Sequence, residues 1–114
     1  MHTHHAMDYI ELTVPDLGAA KNFYAAALGW EFNDYGPDYA GIQGDGEEEQ
    51  GGLRPAQNPA TPKVLLYSDD LEATQKAVTD AGGTITQPIS NYPGGRRFHF
   101  ADPAGNELGV YTEG

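Results

Sequence analysis

The chain contains no cysteine. Disulfides, thiolate nucleophiles and every zinc site built on cysteine are therefore excluded. Positive charge is scarce: six Lys and Arg stand against seventeen Asp and Glu, giving a formal net charge of −11 and a pI near 4.4. Such a surface repels phosphate backbones, so no nucleic-acid partner is expected. An anionic membrane surface is disfavoured for the same reason. No apolar run approaches the roughly 18–20 residues that a transmembrane helix needs. No basic start followed by an apolar stretch reads as a signal peptide. Together these features point to a cytoplasmic protein with neither membrane nor nucleic acid as partner. The 114 residues suffice for one ordinary domain with one compact core.

Histidine is also sparse, and three of the four sit at the start, as His2, His4 and His5. Residues 1–7 read as a flexible leader or a cloning remnant, and metal binding by these imidazoles would carry no catalytic meaning. The remaining histidine is His99.

What is present is an internal repeat. Slid by 54 residues, Leu12 meets Leu66, Asp16 meets Asp70, Leu17 meets Leu71, Ala19 meets Ala73 and Gly29 meets Gly83. These matches fall on structural punctuation. In the first copy, Asp8 to Val14 alternates as a strand does. Asp16 caps a helix by accepting a bond from an orphan N–H, and Leu17, Ala20, Tyr24, Ala27 and Leu28 form one helical face. Gly29 stops the helix. Two strands follow, Trp30 to Tyr35 and Tyr39 to Gln43, with Gly51-Gly52-Leu53 as a short fourth strand. Phe23, Tyr24 and Trp30 are expected in the core or at a subunit interface. In the second copy, Lys63 to Ser68 is a strand, Asp69 or Asp70 caps a helix carrying Leu71, Thr74, Val78 and Ala81, and Gly82-Gly83 ends it. Strands are expected at Thr84 to Gln87, Arg96 to Ala101 and Glu107 to Thr112. Tyr92-Pro93-Gly94-Gly95 reads as a mobile lip. Asp102-Pro103-Ala104-Gly105 has the residues of a tight turn. The acidic segment 44–50 reads as a solvated loop, and Pro55, Pro59 and Pro62 mark a linker.

The order strand, helix, three strands, given twice, resembles the vicinal oxygen chelate superfamily of glyoxalases, bleomycin-resistance proteins and extradiol dioxygenases. The residues that carry the resemblance are Ile10-Glu11-Leu12-Thr13-Val14-Pro15-Asp16-Leu17, then Phe23-Tyr24 through Leu28-Gly29-Trp30. In the second half they are Ser68 through Thr74, Ala81-Gly82-Gly83, and Ala101-Asp102-Pro103-Ala104-Gly105-Asn106-Glu107. The resemblance implies an α+β fold: two tandem βαβββ modules, 8–54 and 63–114 with a linker at 55–62, forming a curled mixed sheet around a cavity. It also implies a homodimer and a small-molecule ligand. In catalytic members a divalent metal is held by His, Glu or Gln at inward strand positions. Carried over, those positions are Tyr9, Lys63 and Gly109, with a fourth at Gly41 or Gln43. A phenol, an ammonium and a glycine are unsuitable ligands, so no metal or other cofactor is expected.

Strand alternation then names the other inward residues. Glu11 and Thr13 share the face of Tyr9, Tyr67 that of Lys63, and Glu107 and Tyr111 that of Gly109. On the strand before the turn the inward pair is Arg97 and His99; a one-residue bulge would exchange them for Arg96 and Phe98. The expected site has His99, Glu11 and Arg97 as catalytic residues, His99 or Glu11 moving a proton and Arg97 clamping a carboxylate or enolate. Tyr9, Thr13, Tyr67, Glu107 and Tyr111 are expected to line it and bind ligand. The function expected is a metal-independent glyoxalase-like protein that binds a small organic molecule; whether it also transforms that molecule, as an isomerase or lyase, stays open at this point. The alternatives are sequestration of a cationic antibiotic, and the ordinary metal-dependent glyoxalase or dioxygenase.

Overall fold

A computed structural model describes residues 2–44, 48–58 and 60–113. The chain divides into two compact units, one of Tyr9–Pro62 and one of Met1–Asp8 with Lys63–Gly114. Each is an α+β unit built as strand, helix, three strands.

The first unit holds β1 (Met7–Val14, whose first two residues belong to the other unit), α1 (Leu17–Leu28), β2 (Phe32–Asp34), β3 (Ala40–Gln43) and β4 (Glu49–Pro55). Its sheet runs β2-β3-β4-β1: the hairpin partners are antiparallel, and β4 returns parallel to β1 with Leu12 beside Leu53. Asp16 caps α1 by accepting from the Ala19 N–H at 3.0 Å, and Gly29 ends it with φ of 73°, a left-handed conformation that costs glycine little. Leu17, Ala20 and Tyr24 of α1 pack on Ala40, Ile42 and Leu53. Trp30 stacks on Tyr24 with centroids 4.7 Å apart. Leu28, at the end of the expected helical face, is 59% exposed, and Phe23, expected in the core or at a subunit interface, is 62% exposed in the chain.

The second unit holds β5 (Lys63–Tyr67), α2 (Leu71–Asp80), β6 (Thr84–Tyr92), β7 (Gly95–Ala101) and β8 (Glu107–Glu113). Its sheet repeats the first, β6-β7-β8-β5, with β5 and β8 parallel and the other pairs antiparallel. Asp70 caps α2 through the Ala73 N–H at 3.1 Å. Leu71 of α2 packs with Phe98 and Val110, supported by Leu66, Val78, Ile85 and Phe100. A buried Ser68–Thr74 hydroxyl pair at 2.7 Å ties the strand end to the helix. The two caps are expected to contribute alike: Asp16→Ala and Asp70→Ala should each lower stability by about 0.5–2 kcal/mol, read as a shift in the urea midpoint. Equality with wild type at either site would show that water replaces that cap.

Several boundaries differ from expectation. β6 continues through Pro88 to Tyr92, because it is an edge strand that need not donate at that position. Tyr92 then pairs with Gly95, so Tyr92-Pro93-Gly94-Gly95, read as a lip, is the tight turn of a hairpin with Gly94 at φ 99°. β4 starts at Glu49, inside the stretch expected to be a solvated loop; residues 45–47 of that stretch, and Pro59 of the linker, lie outside the described residues. Residues 2–6 of the expected leader carry defined contacts: His5 N–H donates to the Tyr67 carbonyl at 2.7 Å, and Tyr67 N–H to that of Ala6 at 3.1 Å.

Candidate functional site

In the second unit the sheet sorts its side chains by parity. Phe98 and Val110 point to α2, so Arg97, His99 and Tyr111 take the opposite face, as do Lys63 and Glu107. The bulge that would have exchanged Arg97 and His99 for Arg96 and Phe98 does not occur on β7; Arg96 instead pairs with Glu72 of α2. His99 is buried and forms the centre of the cluster. Arg97 donates to its Nε2 through Nε at 3.1 Å and approaches it with Nη2 at 3.0 Å. Lys63 Nζ lies 3.3 Å from its Nδ1 and donates to Glu107 Oε1 at 2.8 Å. The Lys63 ammonium holds the Glu107 carboxyl below the usual carboxylate range. Arg97 also lies over the Tyr92 ring, 6.0 Å from its centroid.

One neutral imidazole offers one acceptor nitrogen and one donor. Here donors face both nitrogens, and the Glu107 carboxylate pairs with the Lys63 ammonium. The space for the ring comes from Gly109 across the ladder. A Cβ there would lie 3.1 Å from His99 Cδ2 and 2.2 Å from Leu65 Cδ2.

Tyr67 and Tyr111 belong to a neighbouring cluster on the same unit. His2 stacks on Tyr67 at 4.6 Å, with its Nδ1 3.0 Å from Asp8 and its Nε2 3.0 Å from Glu113. Burial opposes the charged ring, but the two carboxylates outweigh it and raise the His2 pKa. The Tyr111 hydroxyl donates to Asp8, and burial with that carboxylate pushes its pKa far up.

The first unit carries a second polar cluster. Glu11 is buried; its carboxylate accepts from the Tyr39 hydroxyl at 3.2 Å and from Arg54 at 3.4 Å. The Tyr9 and Tyr39 hydroxyls are 2.5 Å apart. Burial raises the Tyr9 phenol to about 12 and Tyr39 higher still, so both are neutral hydrogen-bonding groups at ordinary pH. Gly52 makes room for Tyr39, since a Cβ there would meet its hydroxyl at 1.9 Å. Gly41 does the same for the Glu49 carboxylate, which accepts from Asn33 at 2.9 Å and Tyr35 at 2.5 Å. Thr13 is spoken for structurally: its hydroxyl accepts from the Ala60 N–H at 2.8 Å and ties the linker to β1.

The positions implied for a divalent metal hold a neutral phenol at Tyr9, an ammonium paired with Glu107 at Lys63, and Gly109 with no donor. Gly41 has none either, its inward space taken by Glu49, and at the alternative position the Gln43 amide donates to Asn33 at 2.8 Å. This donor set does not suit a divalent ion. Among the described residues no group of three or more His, Asp or Glu is arranged to hold one.

Sequence reasoning missed Tyr39, Tyr92 and Glu49, and read Lys63 only as a failed ligand. The signal for Tyr39 was Gly52, legible only once the register that sets Gly41 beside Gly52 is known.

The Glyoxalase/Bleomycin resistance protein/Dioxygenase superfamily model matches residues 6–110. The chain belongs to this superfamily. Among curated proteins, the anthracycline biosynthesis protein DnrV of Streptomyces peucetius is 30% identical over 93% of this chain and 46% of its own length. The putative glyoxylase CFP32 of Mycobacterium bovis is 25% identical over 91% of this chain and 44% of its own. The chain thus spans less than half the length of these curated relatives. Among solved structures, the Mn(II)-bound glyoxalase from Novosphingobium aromaticivorans superposes with a TM-score of 0.74 at 25% identity, covering 98% of this chain and 40% of that one. The glyoxalase-like fold read from the repeat is therefore the fold of this superfamily member.

Proposed function

We propose that this superfamily member binds a small organic carboxylate or its enolate on the Arg97–His99–Lys63 face and moves a proton on it, as an isomerase or lyase that uses no resident divalent metal. The observation that carries the reading is the buried His99 imidazole set between Arg97 and Lys63. Arg97 offers a planar fork for two oxygens. His99 is the acid–base group, because imidazole exchanges protons near neutrality. The two cations stabilise negative charge as it develops on an enolate oxygen. In this reading the proton on the carbon next to the carboxylate passes to His99 and returns to the same or a neighbouring carbon.

The test is a thermal-shift screen of small carboxylates, followed by calorimetry and by α-proton exchange into heavy water read by NMR. A binder present at a hundredfold its Kd should add about 2.7 kcal/mol of apparent stability. Arg97→Ala should weaken that binder roughly 10- to 100-fold, the worth of a charge-assisted bond. His99→Ala should abolish exchange while binding persists, and dialysis against EDTA should change neither. Failure of every carboxylate to bind removes the reading.

A second reading, capture of a cationic molecule without chemistry, draws on the net charge of −11 and on Glu11 and Glu49 among tyrosines. Stabilisation by polyamines or cationic antibiotics, with no proton exchange on any carboxylate, would favour it.

A further inference from the structure

The chain has three lysines, and their surroundings differ. Lys76 is 77% exposed and pairs with Asp80 one turn along its own helix. Lys21 pairs with Asp34 at 2.6 Å. Lys63 is 25% exposed, and its Nζ touches both an imidazole nitrogen, His99 Nδ1, and a carboxylate, Glu107 Oε1. Arg97 occupies the far side of the same imidazole. A lysine amine becomes a carbonyl nucleophile once a base in reach takes its proton. Lys63 has both a carboxylate and an imidazole nitrogen against its Nζ; Lys21 and Lys76 each have only a carboxylate among their contacts given above.

We infer that Lys63 captures carbonyl compounds covalently, forming an imine with a 2-oxo acid or an aldehyde that carries a neighbouring carboxylate. The inference rests on the carboxylate reading of Arg97 and narrows the ligand class. One imidazole ring separates Arg97 from Lys63. A carboxylate held at Arg97 therefore places an adjacent carbonyl carbon towards Nζ, and holding the two reactants together replaces a bimolecular encounter.

The chemistry balances without an oxidant or reductant. Glu107 takes one proton from the ammonium, leaving a neutral amine. The nitrogen lone pair forms an N–C bond as the C=O π electrons move to oxygen. The second amine proton shifts to that oxygen, giving the carbinolamine. Glu107 returns its proton to the hydroxyl, which departs as water, and the nitrogen lone pair closes the C=N bond. The product is a protonated imine beside an ionised Glu107. Its positive nitrogen is an electron sink for removal of a proton from the adjacent carbon.

Pyruvate with sodium cyanoborohydride at neutral pH, applied to the folded full chain, tests this by intact-mass and peptide mass spectrometry. The expected adduct equals one pyruvic acid less water plus two hydrogens, on Lys63, formed at least about tenfold faster than on Lys21 or Lys76. Lys63→Arg keeps the positive charge and should lose that adduct, with thermal stability confirming that it folds. Glu107→Gln should slow labelling, as should Arg97→Ala. Equal labelling of the three lysines overturns the inference, as does a Lys63 rate that does not fall on unfolding in urea. Stabilisation by pyruvate without any adduct overturns it while leaving the proposed function standing. Neither stabilisation by any carboxylate nor an adduct defeats both.

Discussion

Phe98→Ala is expected to remove about 3–5 kcal/mol of stability, the range for a buried aromatic truncated to a methyl group. Phe98 has no exposed surface and lies on the central strand pair of the second unit, packed with Leu71 and Val110. Collapse around the void is limited, because both neighbours are themselves fixed: Leu71 begins a helix capped by Asp70, and Val110 sits directly across the ladder from Phe98. A domain of this size is stable by only about 5–15 kcal/mol, so the loss is a large share of the total. Urea unfolding followed by tryptophan fluorescence and circular dichroism measures it. A loss below about 1 kcal/mol would mean that the α2–β7 layer is not the core of its unit.

Gly51→Ala should cost about 3 kcal/mol, at the upper end of overpacking. A Cβ at Gly51 would lie 2.0 Å from the backbone oxygen of Ile10 on the parallel neighbour. Backbone cannot rotate away as a side chain can, so β1 and β4 must separate and surrender ladder bonds. Gly52→Ala is the informative contrast. There the obstacle is the Tyr39 hydroxyl, the far end of a side chain, which can swing aside. Its stability cost should be smaller, yet it breaks the Tyr9–Tyr39–Glu11 chain. Denaturant midpoints of the two variants, compared with wild type, decide the matter. A Gly51→Ala protein as stable as Gly52→Ala would contradict the close strand approach.

Much of the architecture was legible because local chemistry and tertiary structure agree. Asp16 and Asp70 are good caps and do cap; Leu17, Ala20 and Tyr24 recur at helical spacing and do face the core. The repeat alone places both helices. What misled was context. Pro88 looks like a strand terminator, but an edge position removes the penalty. Glu49 looks like a solvated acid, but Gly41 opposite gives its carboxylate a place between Asn33 and Tyr35. Among the site residues, strand alternation puts Arg97, His99, Glu107 and Tyr111 together on the sheet face away from α2. Parity cannot say what a side chain touches. The pairing of Lys63 with His99 and Glu107 depends on which strands adjoin in space, and the engagement of Thr13 with Ala60 depends on where the linker returns.

Leu65 and His99 lean into the volume above Gly109. A single exchange of that glycine for histidine or glutamate would therefore deliver a chelating atom and a steric collision in one step. A donor at position 109 is thus compatible with this rung only when Leu65 takes another rotamer and the His99 ring gives way by a few tenths of an ångström.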